Sequence, residues 1–290
     1  MIDTHCHLDV AAFDADRDEV IARAGAAGVT GMLIPGIRPR TWAALGELAR
    51  RHAGAGVRFA AGVHPQIVPE LGEDERGGDL EERIARASED AVAIGECGLD
   101  GGTGERALQE RIFRAHVRVA RALGKPLVVH VLRAHDAAPR ILREERAGDC
   151  GVVLHSYSGG AELVAVYAGL GCAFSFAGPV TYPNARRPIE AARAVPPELL
   201  LAETDAPDQV PEGHRSRSPA AERGRASLAR GNPRGMPALY RGGRSEPAHL
   251  PAVIAGLAAA RGVAPAEVAA LTAANAARLF RTWSRAILPR

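Results

Sequence analysis

His5 and His7 in the segment MIDTHCHLD stand two residues apart. On an extended chain that spacing turns both imidazoles to one face and Cys6 to the other. Four further groups with metal-binding side chains close apolar, strand-like runs: Glu96 in AVAIGECGLD, His130 in PLVVHV, His155 in GVVLHSYSG and Asp205 in LLLAETDAP. One histidine after an apolar run is ordinarily a hydrogen-bonded core residue. Six ionisable groups in the same structural position demand another explanation, because burying that much imidazole and carboxylate is costly unless a cation or tight pairing offsets it. Neutral imidazoles mixed with carboxylates suit a divalent ion, with Mg2+, Mn2+ and Zn2+ all compatible. The residue types therefore point to a metal-dependent hydrolase. In this reading His5 and His7 hold one ion, His130 and His155 a second, and Glu96 bridges the two. Asp205 ligates the first ion and takes a proton from metal-activated water.

Such a set converges only if the elements carrying it converge. Eight short apolar or β-branched runs recur along the chain: Met1–His5, Thr30–Pro35, Arg58–Val63, Ala91–Gly95, Leu127–His130, Val152–His155, Ala173–Phe176 and Leu199–Glu203. Each is bounded by Gly, Pro or polar residues, as buried parallel strands are. Stretches of helical spacing lie between them. In Gly104–Leu123, for example, Leu108, Ile112, Ala115, Val119 and Leu123 recur every three or four residues. Eight strands alternating with helices predict a (β/α)8 barrel of the TIM type, in which all strand carboxyl ends surround one mouth. An open doubly wound sheet is the runner-up; it lacks support because no Gly-rich phosphate loop follows the first strand. Two closing helices are expected over Ala248–Ala260 and Pro265–Phe280, and His52, His116 and His249 are read as surface positions on helices.

The 290 residues are 47% hydrophobic and carry a formal charge of +2, which excludes a strongly basic nucleic-acid coat as the basis of function. The four cysteines, Cys6, Cys97, Cys150 and Cys172, show no CxxC spacing and fit a reducing compartment. No membrane span or leader-like segment is read, so the expected location is cytoplasmic, with a monomer as the default. Lys125 is the only lysine. It begins its strand about five residues before His130, which puts it at the wrong end of a barrel to supply a carboxylated bridge between metals.

Taken in order, DTHCHL, GVHP, GECGLD, the His after PLVV, LHSYSG and LLLAETDAP resemble the TatD-type metal-dependent deoxyribonucleases, barrel enzymes of the broader amidohydrolase group. Gln109 and Phe113 resemble a Gln-x-x-x-Phe pattern on the family's helix after the fourth strand, and TAANAARLF at 272–280 its closing helix. The resemblance implies His5, His7, Glu96 and Asp205 as ligands of one ion and Glu96, His130 and His155 as ligands of the other. It further implies that His64 in GVHP lines the cleft and contacts the scissile phosphate. The implied substrate is nucleic acid, DNA by preference, cleaved from an end as an exonuclease does.

The chain departs from the family pattern in three places. His130 is followed by Val-Leu-Arg-Ala-His-Asp rather than Ser-Arg-Asp-Ala, glycines follow Asp100 where a tyrosine is usual, and Ser245-Glu246-Pro247 replaces an Asn-Glu-Pro turn. A single barrel domain over 1–290 is expected, interrupted at 208–247 by an Arg/Gly/Pro-rich, flexible insertion, read first as a tolerated low-complexity loop and second as a basic arm that contacts phosphates, with Tyr240 as a stacking surface. Two alternatives stand beside the nuclease. One is hydrolysis of an amide, ester or lactone on the same cage. The other is a nucleic-acid-binding protein with a vestigial metal site.

Overall fold

The computed structural model describes residues 1–215, 243–281 and 283. Eight parallel strands form one sheet in sequence order: β1 (Ile2–Asp3), β2 (Gly31–Pro35), β3 (Val57–Ala61), β4 (Ala93–Asp100), β5 (Leu127–Leu132), β6 (Val152–Leu154), β7 (Cys172–Phe176) and β8 (Leu200–Ala202). The ends of the sheet meet. The amide of Thr4 donates to the carbonyl of Ala202 at 3.2 Å and that of Asp205 to His5 at 2.9 Å, so the last strand returns beside the first. The result is a (β/α)8 barrel of the TIM type. Helices α1 (Arg17–Ala26), α2 (Trp42–Arg51), α3 (Leu80–Ala87), α4 (Arg106–Leu123), α5 (Ala138–Glu144), α6 (Val164–Ala168) and α7 (Arg186–Ala194) connect successive strands. Helices α8 (Leu250–Arg261) and α9 (Pro265–Leu279) follow β8.

The period-2 alternation of the strands sorts the core into two layers. Leu33, Ala60, Ala93, Val128, Val153, Ala173 and Leu201 face the lumen, where Ala276, Phe280 and Trp283 from the end of the chain pack against them. Met32, Ile34, Phe59, Ile94, Val129, Leu154, Phe174 and Leu200 face outward against the helices, and Cys6 and Cys97 join that layer. Counting two residues onward from the lumen set reaches His130, His155, Ser175 and Glu203. The floor of the barrel is thus apolar, and the next layer toward the mouth is polar.

Sequence and structure differ in detail at several elements. β4 runs on through Glu96 to Asp100, and its pairing with β5 slips between Ile94 and Cys97. The slip is a bulge, in which two residues oppose one and the extra residue is re-aimed. The helix expected over 161–170 is a 3-10 turn at Ala161–Leu163 followed by the short α6. Leu123, placed on an apolar helix face, ends α4 and is 41% exposed. His116 is not a surface residue. It is fully buried; its Nδ1 donates to the carbonyl of Ile112 at 2.7 Å and its Nε2 accepts the amide of Val63 at 3.0 Å. It lies four residues after Ile112, on the same helix face, so it belongs to the stripe that packs on the barrel. His52 and His249 are partly buried.

Of the Arg-rich stretch 208–247, residues 216–242, Tyr240 among them, lie outside the described residues. Its C-terminal end is clamped to α1: Arg244 forks onto Asp16 at 2.7 and 2.6 Å and also reaches Glu246 at 2.7 Å. Among the described residues no single helix is long and apolar enough to cross a membrane.

Candidate metal centre

The mouth of the barrel is built by the polar layer above the apolar floor, and Glu96 stands at its centre. Gly95 makes this possible. It adopts a φ of +140°, and a Cβ there would lie 2.5 Å from the carbonyl oxygen of Val128. Gly62 on the other side leaves the matching space, since a Cβ there would lie 2.3 Å from the carbonyl carbon of Gly95. Two glycines thus let the bulge carry Glu96 inward, where it is fully buried.

All six residues singled out as ligands come together around this carboxylate. On one side Glu96 Oε2 lies 3.1 Å from His5 Nε2 and 3.9 Å from His7 Nε2. The two imidazole nitrogens approach each other to 3.2 Å, and Asp205 Oδ1 is 3.6 and 3.8 Å from them. On the other side Glu96 Oε1 lies 3.1 Å from His130 Nδ1 and 2.8 Å from His155 Nε2, and these two nitrogens are 3.1 Å apart. Ligand atoms about 2.1 Å from an ion at tetrahedral angles lie roughly 3.4 Å from one another. The observed separations cluster around that value in both groups. Glu96 Oε2 is buried with no hydrogen-bond partner, and an unpaired buried carboxylate oxygen is costly. The donor set and this orphaned oxygen both fit divalent cations.

Two imidazoles are backed by carboxylates. His155 Nδ1 faces Glu203 Oε1 at 3.4 Å, and the same oxygen accepts the amide of Ser156 at 2.6 Å. His130 Nε2 faces Asp100 Oδ2 at 3.4 Å, and Gln66 Nε2 donates to that oxygen at 2.8 Å. Such partners hold the proton on the outer nitrogen and leave the inner one bare for a metal. Gln109 in turn holds Asp100, its Oε1 accepting the Asp100 amide at 2.9 Å while its Nε2 donates to the Gly104 carbonyl at 2.8 Å.

His64 differs from the others. Its Nδ1 accepts the amide of Gln66 at 3.1 Å, capping the 3-10 turn that starts at Pro65, while its Nε2 lies 2.9 Å from Glu96 Oε1. With Nδ1 occupied as an acceptor, the neutral ring carries its proton on Nε2 and donates it into the site. A metal ligand needs a bare nitrogen there. Where the resemblance implies a phosphate contact, His64 caps the turn and points a donor toward the cleft.

The electrostatics follow from burial. Burial by itself would raise the Glu96 pKa, but His155, His64 and His5 outweigh it and hold the carboxyl well below its ordinary range. Burial likewise opposes a charge on His155, yet Glu96 and Glu203 lift its pKa well above the usual value. Burial, joined by neighbouring His5, lowers His7, and burial raises Asp205. Asp3, beneath the site, is pushed up to about 8 by burial even though the amide and hydroxyl of Thr204 donate to it at 2.9 and 2.6 Å.

Two further polar residues lie away from this cluster. Lys125 Nζ donates to the carbonyls of Glu89 and Ala91 at 2.9 and 2.7 Å, at the opposite end of the barrel. His135 is held by the hydroxyls of Tyr167 and Ser158 at 2.9 and 3.3 Å. Glu203 and Gln209 were not singled out in the sequence. The first shares the lumen face with Leu201, a signal present in the strand alternation. The second, whose Nε2 donates to Asp205 Oδ2, sits in an irregular turn that no periodicity marks.

Comparison with known proteins places the chain. The family model for TatD-related DNases matches residues 2–281. YcfH of Escherichia coli K12, an uncharacterized metal-dependent hydrolase, is 38% identical over 224 residues, covering 75% of this chain and 81% of that protein. YabD of Bacillus subtilis, described in the same words, is 32% identical over 219 residues, covering 75% and 84%. The crystal structure of YJJV, a TatD homologue from Escherichia coli K12, superposes with a TM-score of 0.80 at 26% identity, covering 97% of this chain and 98% of that one. The chain belongs to the TatD-related DNase family and is a metal-dependent hydrolase.

Proposed function

We propose that this hydrolase is a nuclease that cleaves phosphodiester bonds in DNA from an end, using two divalent cations. One would be held by His5, His7, Asp205 and Glu96, the other by Glu96, His130 and His155. The observation that carries the reading is the posture of Glu96, which turns one oxygen to each group of nitrogens. When bound, such a cation pair acidifies water and offsets charge on the phosphate oxygens.

The residues divide the remaining work. Asp205, held at Oδ2 by Gln209, stands beside His5 and His7, where its carboxylate would take the proton of the attacking water. His64 presents Nε2–H toward the cleft, suited to a phosphate oxygen that gains charge as the bond breaks. Glu203 and Asp100 fix the rings of His155 and His130, so little rearrangement accompanies binding. A vestigial site fits poorly with a fully buried carboxylate whose Oε2 has no hydrogen-bond partner, which natural cores seldom keep without use.

The test is hydrolysis of end-labelled single-stranded and duplex oligonucleotides with Mg2+, Mn2+ or Zn2+, run beside a panel of esters, lactones and amides. Expected is metal-dependent release of nucleotides, stopped by chelation and by Asp205→Asn in a protein that still folds. Turnover confined to the carbonyl panel would replace the nuclease with an amidohydrolase. Salt-sensitive DNA binding without turnover would leave a binding protein.

A further inference from the structure

A cavity of about 180 Å3 opens beside the metal centre, between the segments that follow β6, β7 and β8. Its walls are chemically divided. Phe176, Ala177, Pro179 and Val180 give it an apolar face, and Arg187 stands exposed at its edge. Ser156 and Gln209 form the wall toward the metal centre. That wall is shared: Ser156 directly follows His155, its amide donates to Glu203 at 2.6 Å, and Gln209 bonds both the Ser156 hydroxyl, at 2.7 Å, and the Asp205 carboxylate. The cavity therefore adjoins the place where a substrate's reacting bond would lie over Glu96.

Size and chemistry narrow the occupant. An apolar cavity of roughly 150 Å3 takes up benzene, so this one admits a single substituted ring but not two stacked. The polar groups lining it are already committed. Gln209 and Ser156 satisfy each other, and the Ser158 hydroxyl donates to the carbonyl of Val131 at 2.8 Å. A ring seated here would meet flat apolar surface and few free hydrogen-bonding groups. The Arg187 guanidinium at the rim would stack on that ring.

We infer that this cavity is the subsite for the nucleobase next to the scissile phosphate, holding it by stacking and with little regard to which base it is. The inference rests on the nuclease reading above and adds to it where the substrate is gripped and why cleavage would tolerate sequence. Base stacking on protein surfaces is sequence-tolerant for the same reason, since every base offers a π-face.

The test compares two oligonucleotides that differ only in the nucleotide at the cleaved end, one bearing its base and one abasic. Wild type is measured beside Ala177→Leu, which fills the cavity, and Arg187→Ala, an exposed change that leaves the core alone. The expected result is a fall of at least tenfold in the base-bearing to abasic ratio of kcat/KM for Ala177→Leu. For Arg187→Ala the fall is about threefold or more, and the four single bases differ by less than threefold in wild type. Equal losses on both substrates, an unchanged ratio in both variants, or strong preference for one base would overturn the subsite. If wild type cleaves neither oligonucleotide but turns over an ester or amide, it is the nuclease reading that has failed, and the cavity then belongs to a different substrate.

Discussion

Replacing Glu203 with glutamine should weaken one metal position and spare the other. Glu203 is fully buried, and its Oε1 serves two donors, the Ser156 amide at 2.6 Å and His155 Nδ1 at 3.4 Å. Glutamine keeps the shape but loses the charge, and its single carbonyl oxygen cannot polarise the imidazole as a carboxylate does. His155 Nε2 then becomes a poorer donor on the side where it meets Glu96 Oε1 at 2.8 Å. Removing a partner of this kind ordinarily costs 10- to 100-fold in metal affinity, or about 1.4–2.7 kcal/mol. Titration of the metal-free protein with Mn2+ by calorimetry should therefore show one binding step weakened by that factor. The step assigned to His5, His7 and Asp205 should move by less than about threefold, because Glu203 hydrogen-bonds to none of those groups. Two unchanged steps would show that Glu203 does not tune a ligand. Equal weakening of both would show that the substitution disturbs the barrel mouth as a whole.

Other outcomes follow from single contacts. His64→Ala should keep the wild-type metal content while lowering kcat/KM on an oligonucleotide by about 10²–10³, the usual loss for one donor to developing charge; loss of an ion, measured by elemental analysis, would make His64 a ligand instead. Gly95→Ala forces a side chain onto a φ of +140° and against the Val128 carbonyl. It should destabilise by about 3 kcal/mol or more in chemical denaturation, and a variant that unfolds like wild type with its metal intact would refute the role given to the bulge. His116 has its pKa lowered by burial to about 4. The unfolded chain binds the extra proton first as pH falls below about 6.5, so the stability from this group is full above that value and is lost toward pH 4, by about 2 kcal/mol at pH 5. His116→Gln should flatten that part of the stability–pH curve, and a curve of unchanged slope would contradict it.

Much of this arrangement was legible in the sequence, for identifiable reasons. Parallel strands covered on both faces are continuous apolar runs, so β2, β3 and β5 through β8 are legible to within two residues, and His130, His155 and Asp205 at or just after the ends of β5, β6 and β8 mark the mouth. What escaped depends on geometry that a run of letters does not carry. The bulge at Gly95 shifts the inward face from the expected parity onto Glu96, and only the backbone reveals that β4 continues past it. Glu203 was masked by its neighbour Asp205, although counting two from Leu201 reaches the lumen face. His116 carried a polar label on an apolar stripe. Its burial depends on a partner 53 positions away in sequence, the amide of Val63. Gln209 sits in a turn at positive φ, where no periodic pattern applies.

Whether Glu96 joins two cations is read by anomalous diffraction from crystals grown with Mn2+. Two peaks per chain are expected roughly 3.5–4 Å apart, one within bonding distance of each Glu96 oxygen, with His5, His7 and Asp205 around the first and His130 and His155 around the second. A single peak, or two peaks with Glu96 bound to neither or only one, would contradict a bridging Glu96.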